Sequence, residues 1–207
     1  RPKLELVYYD LDTYQIGEGS SVSSTTSSSS FISPFGTYNY NGRTQYIYKA
    51  EELLAEGMVP GVIHSLSFDI VNDDIALSDF KISIGHTQLD YFSSASYISG
   101  LTSVFSDTYY PGTGWNSFEF DENDFSWDGE SNLVVEVCFD NNYSANYNST
   151  VHYTTYQDKR TNGAQIFFYD GCDISIPTNT NYSRPNIKFS ALNNSIDYVA
   201  PELVESY

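Results

Sequence analysis

Apolar and polar residues alternate along much of this 207-residue chain, and this period of two is the feature that most restricts its fold. Such alternation is typical of β-strands that bury one face and expose the other. Leu66, Phe68 and Ile70, for example, share one face of a segment whose intervening residues are serine and aspartate. We therefore predict strands over residues 43–48, 64–71, 80–84, 101–109, 115–121, 133–139, 151–156, 165–169 and 186–191.

Turn-forming pairs such as Asn41-Gly42 and Pro111-Gly112 separate these segments. About nine to eleven strands with long connections are typical of an all-β fold. We predict a two-sheet antiparallel β-sandwich, jelly-roll-like, with one short helix over residues 49–57 that ends at Gly57.

The ends of the chain differ in composition from its middle. Residues 1–30 are predicted to form an N-terminal strand and a Ser/Thr-rich linker, with an edge strand as the alternative for residues 20–30. Residues 31–195 form the predicted sandwich module, and residues 196–207 a linker or the start of a following domain. We expect a monomeric module within a longer chain.

The chain carries 27 acidic residues against 9 basic ones, giving a net charge of −18. This excludes nucleic acid as a partner, because nucleic-acid binding needs a positive surface. No apolar run is long enough for a transmembrane helix, so membrane insertion is not expected. The acidity indicates either solubility or carboxylates that gather around Ca²⁺.

Motifs that carry catalysis are missing from the sequence. It contains no H-E-x-x-H, G-x-S-x-G, G-x-G-x-x-G or P-loop pattern. His64, His86 and His152 are isolated and are interpreted as structural residues. We predict that the chain is not an enzyme, although a carboxylate pair for glycoside hydrolysis stays open because pairing is a spatial property.

Three acidic loops are candidate calcium sites, since turns rich in Asp and Asn supply the oxygen ligands that Ca²⁺ needs. None fits the EF-hand pattern, and solvated turns with side-chain capping are the alternative interpretation. The candidate metal ligands are Asp69, Asp73, Asp74, Asp121, Asp124 and Asp128.

Two cysteines, Cys138 and Cys172, are predicted to form a disulfide. The alternation places Cys138 on the face opposite Val135 and Val137, so that it would point outward toward the loop that contains Cys172.

Aromatic residues suggest a binding surface, because the chain contains 19 tyrosines and aromatic faces stack on sugar rings. Ordinary filling of strands is the alternative for any single tyrosine, and Trp115 and Trp127 are interpreted as structural. The loop over residues 140–150 is the first candidate glycan site, with Asp140, Asn142, Tyr143, Asn146 and Tyr147 as ligand-binding residues.

The run WDGESNLVVEVCF at residues 127–139, with IGHT at 84–87 and RPNIKF at 184–189, resembles a β-sandwich module of Bacteroidota. Such modules occur in type IX-secreted and cell-surface, adhesin-like proteins. The resemblance implies a non-catalytic domain that is secreted or displayed on a bacterial surface.

The sequence therefore predicts an extracellular binding or adhesion module of a larger protein. Its expected partners are an extracellular polysaccharide, a cell-surface glycan or a surface protein. The alternative is a structural spacer or accessory domain of a secreted multidomain enzyme, with no ligand of its own.

Overall fold

Fourteen strands and one α-helix form the described part of the chain in a computed structural model, which covers residues 11–24, 26, 32–72, 75–120, 125–141, 147–166 and 171–192. The elements in chain order are β1 (Leu11–Ile16), β2 (Ser21–Val22), β3 (Asn41–Tyr48), α1 (Ala50–Ala55), β4 (Gly61–Asn72), β5 (Leu77–Thr87), β6 (Thr102–Tyr109), β7 (Gly114–Glu119), β8 (Phe125–Trp127), β9 (Asn132–Asp140), β10 (Thr150–Thr155), β11 (Thr161–Ile166), β12 (Asn179–Asn181), β13 (Ser183–Pro185) and β14 (Ile187–Leu192).

These strands form two antiparallel sheets. The first sheet has the order β1-β14-β4-β10-β13, with β7 and β8 also paired to β4 and with β2 paired to β10. The second sheet has the order β12-β11-β3-β9-β5-β6. After β3, most connections cross from one sheet to the other, as in a jelly roll. The predicted all-β sandwich with one short helix is confirmed.

Aromatic side chains fill the space between the sheets. Phe35 lies in the segment before β3, is fully buried, and contacts rings from both layers. Its ring centroid is 5.8 Å from that of Phe68 in the first sheet and 5.8 Å from that of Phe80 in the second. Tyr46 and Tyr48 are also fully buried, so they belong to the core rather than to a surface site.

The strand predicted over residues 165–169 begins earlier in the structure, where β11 covers Thr161–Ile166, and residues 167–170 lie outside the described part. Asn162 and Gly163 obscure this strand in the sequence, because both residue types are uncommon in strands. Within residues 20–30, Ser21–Val22 is an edge strand on β10, which matches the alternative interpretation of that segment.

Trp127 belongs to the hydrophobic core. Its side chain is 1% exposed, and its indole Nε1 donates a hydrogen bond of 2.7 Å to the carbonyl of Ser131. The structural role predicted for Trp127 is confirmed.

A buried ion-pair network fastens α1 to the first sheet. The guanidinium of Arg184, in β13, is fully buried and donates to both carboxylate oxygens of Glu52, at 2.7 Å and 3.0 Å. It lies over the rings of Tyr48 and Tyr156, while Arg160 adds a second ion pair to Glu52 at 3.0 Å. Burial acts to raise the pKa of Glu52, but the charge and hydrogen bonds of Arg184 outweigh it and hold that pKa below its usual value.

Candidate functional site

The outer face of the second sheet is covered by the chain itself. Gln45 of β3 donates to the carbonyl of Ile98 at 2.8 Å, and the Tyr97 hydroxyl donates to the carbonyl of Arg43 at 2.9 Å. These contacts hold the β5–β6 connection against the sheet. Beneath this cover, Arg43 forms an ion pair with Glu136 at 2.9 Å. The face is thereby occupied by internal contacts.

The disulfide pins a second segment onto the same face. Cys138 of β9 is bonded to Cys172, and their Cα atoms are 5.1 Å apart, so the predicted bridge is confirmed. Arg43 also donates to the carbonyl of Ile174 at 2.8 Å, which ties down the residues that follow the bridge. A structural disulfide is typical of proteins in oxidising, extracellular compartments.

The outer face of the first sheet, in contrast, holds an open, shallow cleft of about 330 Å³. This volume lies at the lower end of the range of small-molecule sites. Its lining combines one large aromatic ring with carboxylate, imidazole, amide and hydroxyl groups, from Gln15, Glu18, Gly19, Ser20, Asp69, Trp115, His152 and Asn186.

Trp115 forms the aromatic wall of this cleft. It is paired with Asp69 across β7 and β4, and its side chain is 36% exposed, so it lies outside the core. The structural role predicted for Trp115 stays a prediction. Lys188, two strands away in β14, places its Nζ 4.0 Å from the centre of the indole ring. Ser67, the residue of β4 that pairs with Lys188, has a small side chain that leaves room for this contact.

The polar wall of the cleft is built on a pair of hydrogen-bonded side chains. His152 Nδ1 lies 2.7 Å from Asp69 Oδ2, and the two side chains are 33% and 22% exposed. Asp69 thus orients the imidazole and leaves Nε2 as the ring nitrogen that has no hydrogen-bond partner among the described residues. An Asp–His pair resembles part of a catalytic triad, but no hydroxyl or thiol of the described chain is hydrogen-bonded to His152. The non-enzymatic role stays a prediction.

The rim of the cleft is fixed by close backbone packing. Gly17 has φ of +91°, and a Cβ at Gly19 would lie 1.9 Å from the carbonyl oxygen of Tyr153. Asn186 donates to the carbonyl of Gly19 at 2.8 Å, and Thr154 in turn donates to Asn186 at 2.8 Å. The segment over residues 17–20 is therefore held flat against the sheet, which sets the position of the backbone at residue 18.

Glu18 stands on this rim with an exposed side chain. It makes no hydrogen bond or ion pair with any residue in the described ranges. Its carboxylate is therefore available to a ligand without loss of an internal contact.

The glycan site predicted over residues 140–150 is covered by the structure only at its ends, because Asn142, Tyr143 and Asn146 lie outside the described residues. Asp140 ends β9, and Tyr147 is 56% exposed. Asn148 is fully buried and accepts a hydrogen bond of 3.0 Å from the amide of Tyr38, so it anchors the end of the loop.

The predicted calcium ligands are likewise only partly covered. Four of them, Asp73, Asp74, Asp121 and Asp124, lie outside the described residues. Asp69 is hydrogen-bonded to His152.

Asp128, the remaining candidate calcium ligand, caps its own turn. Its Oδ1 accepts from the amides of Glu130 and Ser131 at 2.9 Å and 2.8 Å. Burial acts to raise its pKa, but hydrogen bonds from Ser131 and Glu130 and the nearby His86 lower it to about 2. Within the described part of the chain, no three His, Cys, Asp or Glu side chains come together in a group suited to a metal. Calcium binding stays a prediction.

Sequence reasoning missed the cleft, although two signals for it were present. Trp115 lies on the same face of its strand as Ser117 and Glu119, and Asn116 and Phe118 lie on the opposite face. The face with Ser117 and Glu119 is the one expected to meet solvent. Asp69 lies on the polar side of its own strand. No sequence signal indicated that Glu18, Gln15 and Asn186 also line the cleft, because their positions depend on the pairing of β1 with β14.

No family model matches the chain, and no curated protein matches it. Among solved structures, the cysteine protease and lectin-like domains of a surface-layer-associated protein of Clostridium difficile are similar, with 12% identity and a TM-score of 0.44. The similarity covers 74% of this chain and 32% of the other, so the match spans about a third of the length of that chain. Similarity at this level does not establish a shared function.

No helix among the residues that the structure covers is long and apolar enough to cross a membrane.

Proposed function

We propose that this domain is a non-catalytic, extracellular binding module that holds a glycan in the cleft on the outer face of its first sheet. The observation that carries the proposal is the exposed indole of Trp115 beside the polar groups of Asp69 and His152. A sugar ring has an apolar face that stacks on an aromatic ring and hydroxyl groups that bond carboxylate, amide and imidazole groups.

Three further features support this function. The Cys138–Cys172 disulfide is compatible with secretion into an oxidising environment. The net charge of −18 keeps the domain soluble and argues against polyanionic partners. The resemblance to adhesin-like modules of Bacteroidota points to a secreted or surface-displayed parent protein.

Binding by a single module is expected to be weak, because a shallow cleft buries little ligand surface. Repetition of modules, or of epitopes along a polysaccharide, would raise the overall affinity without new contacts.

The test is a glycan array probed with a multimerised wild-type domain, followed by titration of the best ligand. Trp115→Ala should weaken binding at least tenfold, which corresponds to about 1.4 kcal/mol. Tyr91→Ala is the matched control, because Tyr91 is 49% exposed and does not line the cleft. Tyr147→Ala tests the loop over residues 140–150 as a rival site.

Three outcomes separate the alternatives. Loss of binding in Trp115→Ala alone supports the cleft, and loss in Tyr147→Ala alone moves the site to the loop. If the multimerised wild-type domain binds no glycan, cell wall or cell surface, the domain is a structural spacer of a larger secreted protein.

A further inference from the structure

We propose that the glycan bound in the cleft carries free, protonated amino groups rather than N-acetylated or acidic ones. This inference rests on the proposed function and specifies its ligand. Three observations support it. They are the carboxylates that line the cleft, the contact between the ammonium of Lys188 and the ring of Trp115, and the carboxylate of Glu18, which has no partner among the described residues.

The charge of the cleft wall is negative. Glu18 and Asp69 contribute carboxylates, and none of the described residues that line the cleft is a lysine or an arginine. The ammonium of Lys188 lies beside the lining, over the ring of Trp115. The imidazole of His152 is the other ionisable group of the lining, and its Nδ1 faces Asp69 at 2.7 Å. A sulfated or uronic-acid sugar would meet repulsion in such a site, whereas an ammonium group would be attracted.

The arginines of the described chain cannot reverse this preference. Arg43 is ion-paired with Glu136 at 2.9 Å on the opposite sheet, and Arg184 is buried against Glu52. Arg160 shares Glu52 with Arg184. Recognition of a carboxylate or sulfate depends on such forked donors, which here are used inside the fold.

Trp115 already contacts an ammonium group of the chain itself. The Nζ of Lys188 lies 4.0 Å from the centre of its ring, within the range of a cation–π contact. Trp115 remains 36% exposed beside this contact, and its indole ring carries a negative quadrupole. An aminosugar could therefore stack its ring on Trp115 and present its ammonium group to the carboxylates.

Glu18 is the group best suited to hold that ammonium. It is exposed and unpaired within the described ranges, and its backbone is fixed because Asn186 binds the carbonyl of Gly19 at 2.8 Å. An N-acetyl group would remove the positive charge and add bulk at this point. The expected gain from one exposed ion pair is about two- to fivefold in affinity.

The experiment compares hexamers of glucosamine and of N-acetylglucosamine by calorimetric titration, at a pH below the pKa of the sugar amine. The glucosamine hexamer should bind about two- to fivefold more tightly, and raised salt should weaken its binding selectively. Glu18→Gln should reduce the preference toward unity without changing thermal stability, because Glu18 has no internal partner.

Glu130→Gln is the matched control, since it removes the same charge from an exposed turn beside β8. Gly61 of β4 pairs with Trp127, and Asp69 lies eight residue steps further along this extended strand, so the control lies about 26 Å from the cleft.

Equal binding of both hexamers would overturn the aminosugar specificity while leaving a glycan-binding module in place. A preference that survives Glu18→Gln would overturn the assignment of Glu18 as the group that holds the ammonium. Binding of neither hexamer, together with an array on which no glycan is bound, would overturn both proposals.

Discussion

Removal of the Cys138–Cys172 disulfide should cost the domain much of its stability. The two cysteines are 34 residues apart in the sequence. In the chain-entropy model, a crosslink that closes a loop of this length restricts the unfolded chain by about 3.8 kcal/mol at 25 °C. This is a large share of the 5–15 kcal/mol that typical domains possess.

The double substitution Cys138→Ala/Cys172→Ala is the cleanest perturbation, because Cys138 is 2% exposed and a polar replacement would add a burial penalty. The bridge also holds a segment whose backbone approaches the sheet closely. A Cβ at Gly171 would lie 1.9 Å from the carbonyl oxygen of Phe139. Without the bridge, the segment that begins at Gly171 should open before the rest of the fold.

Urea denaturation followed by tyrosine and tryptophan fluorescence measures the effect. With a slope of about 2.5 kcal/mol per molar urea, the midpoint should fall by about 1.5 M. Reduction of the wild-type protein should reproduce the midpoint of the variant, and the same reductant should leave the variant unchanged. A midpoint shift below about 0.4 M would refute the chain-entropy reasoning for this bridge.

Two further predictions concern charged groups. Glu52→Gln should lower the free energy of unfolding by about 3 kcal/mol, because it leaves the buried charge of Arg184 without its carboxylate; a loss below 1 kcal/mol in chemical denaturation would contradict this. Asp128, whose pKa is lowered to about 2 in the folded state, should stabilise the domain above its unfolded pKa near 3.8 and lose this contribution as the pH falls toward 2. Thermal melts of wild type and Asp128→Asn should therefore converge in that window, and parallel curves would exclude the role of Asp128.

The fold could be predicted well because alternation is a local signal. The strands around Phe68, Ile82 and Val135 cover their predicted ranges and extend up to three residues beyond them. The pairing of β1 with β14 could not be predicted, since it joins residues about 175 positions apart and no local pattern encodes the partner. Insertion of Phe35 between the sheets was equally hidden, because it lies in a connection rather than in a strand.

The candidate site was harder to predict than the fold. Asp69 and His152 are 83 positions apart in the sequence, and their hydrogen bond depends on how β4 and β10 meet. The sequence directed attention to clusters of tyrosine and aspartate, where composition is conspicuous. In the structure, one Trp and a few single polar residues from different strands meet on an open face. Single residues of this kind carry little weight until the sheet order is known.

The ion pairs of the arginines also affect how readily a protease can cleave the domain. A trypsin-like protease must draw an arginine or lysine into its specificity pocket. Arg43, Arg160 and Arg184 are held in ion pairs, with side chains 19%, 5% and 0% exposed. Arg184 is also followed by Pro185, whose peptide bond such enzymes cleave poorly. Cutting at these arginines must therefore wait for local or global opening, so that the rate of digestion there reports the stability of the fold rather than the accessibility of its loops.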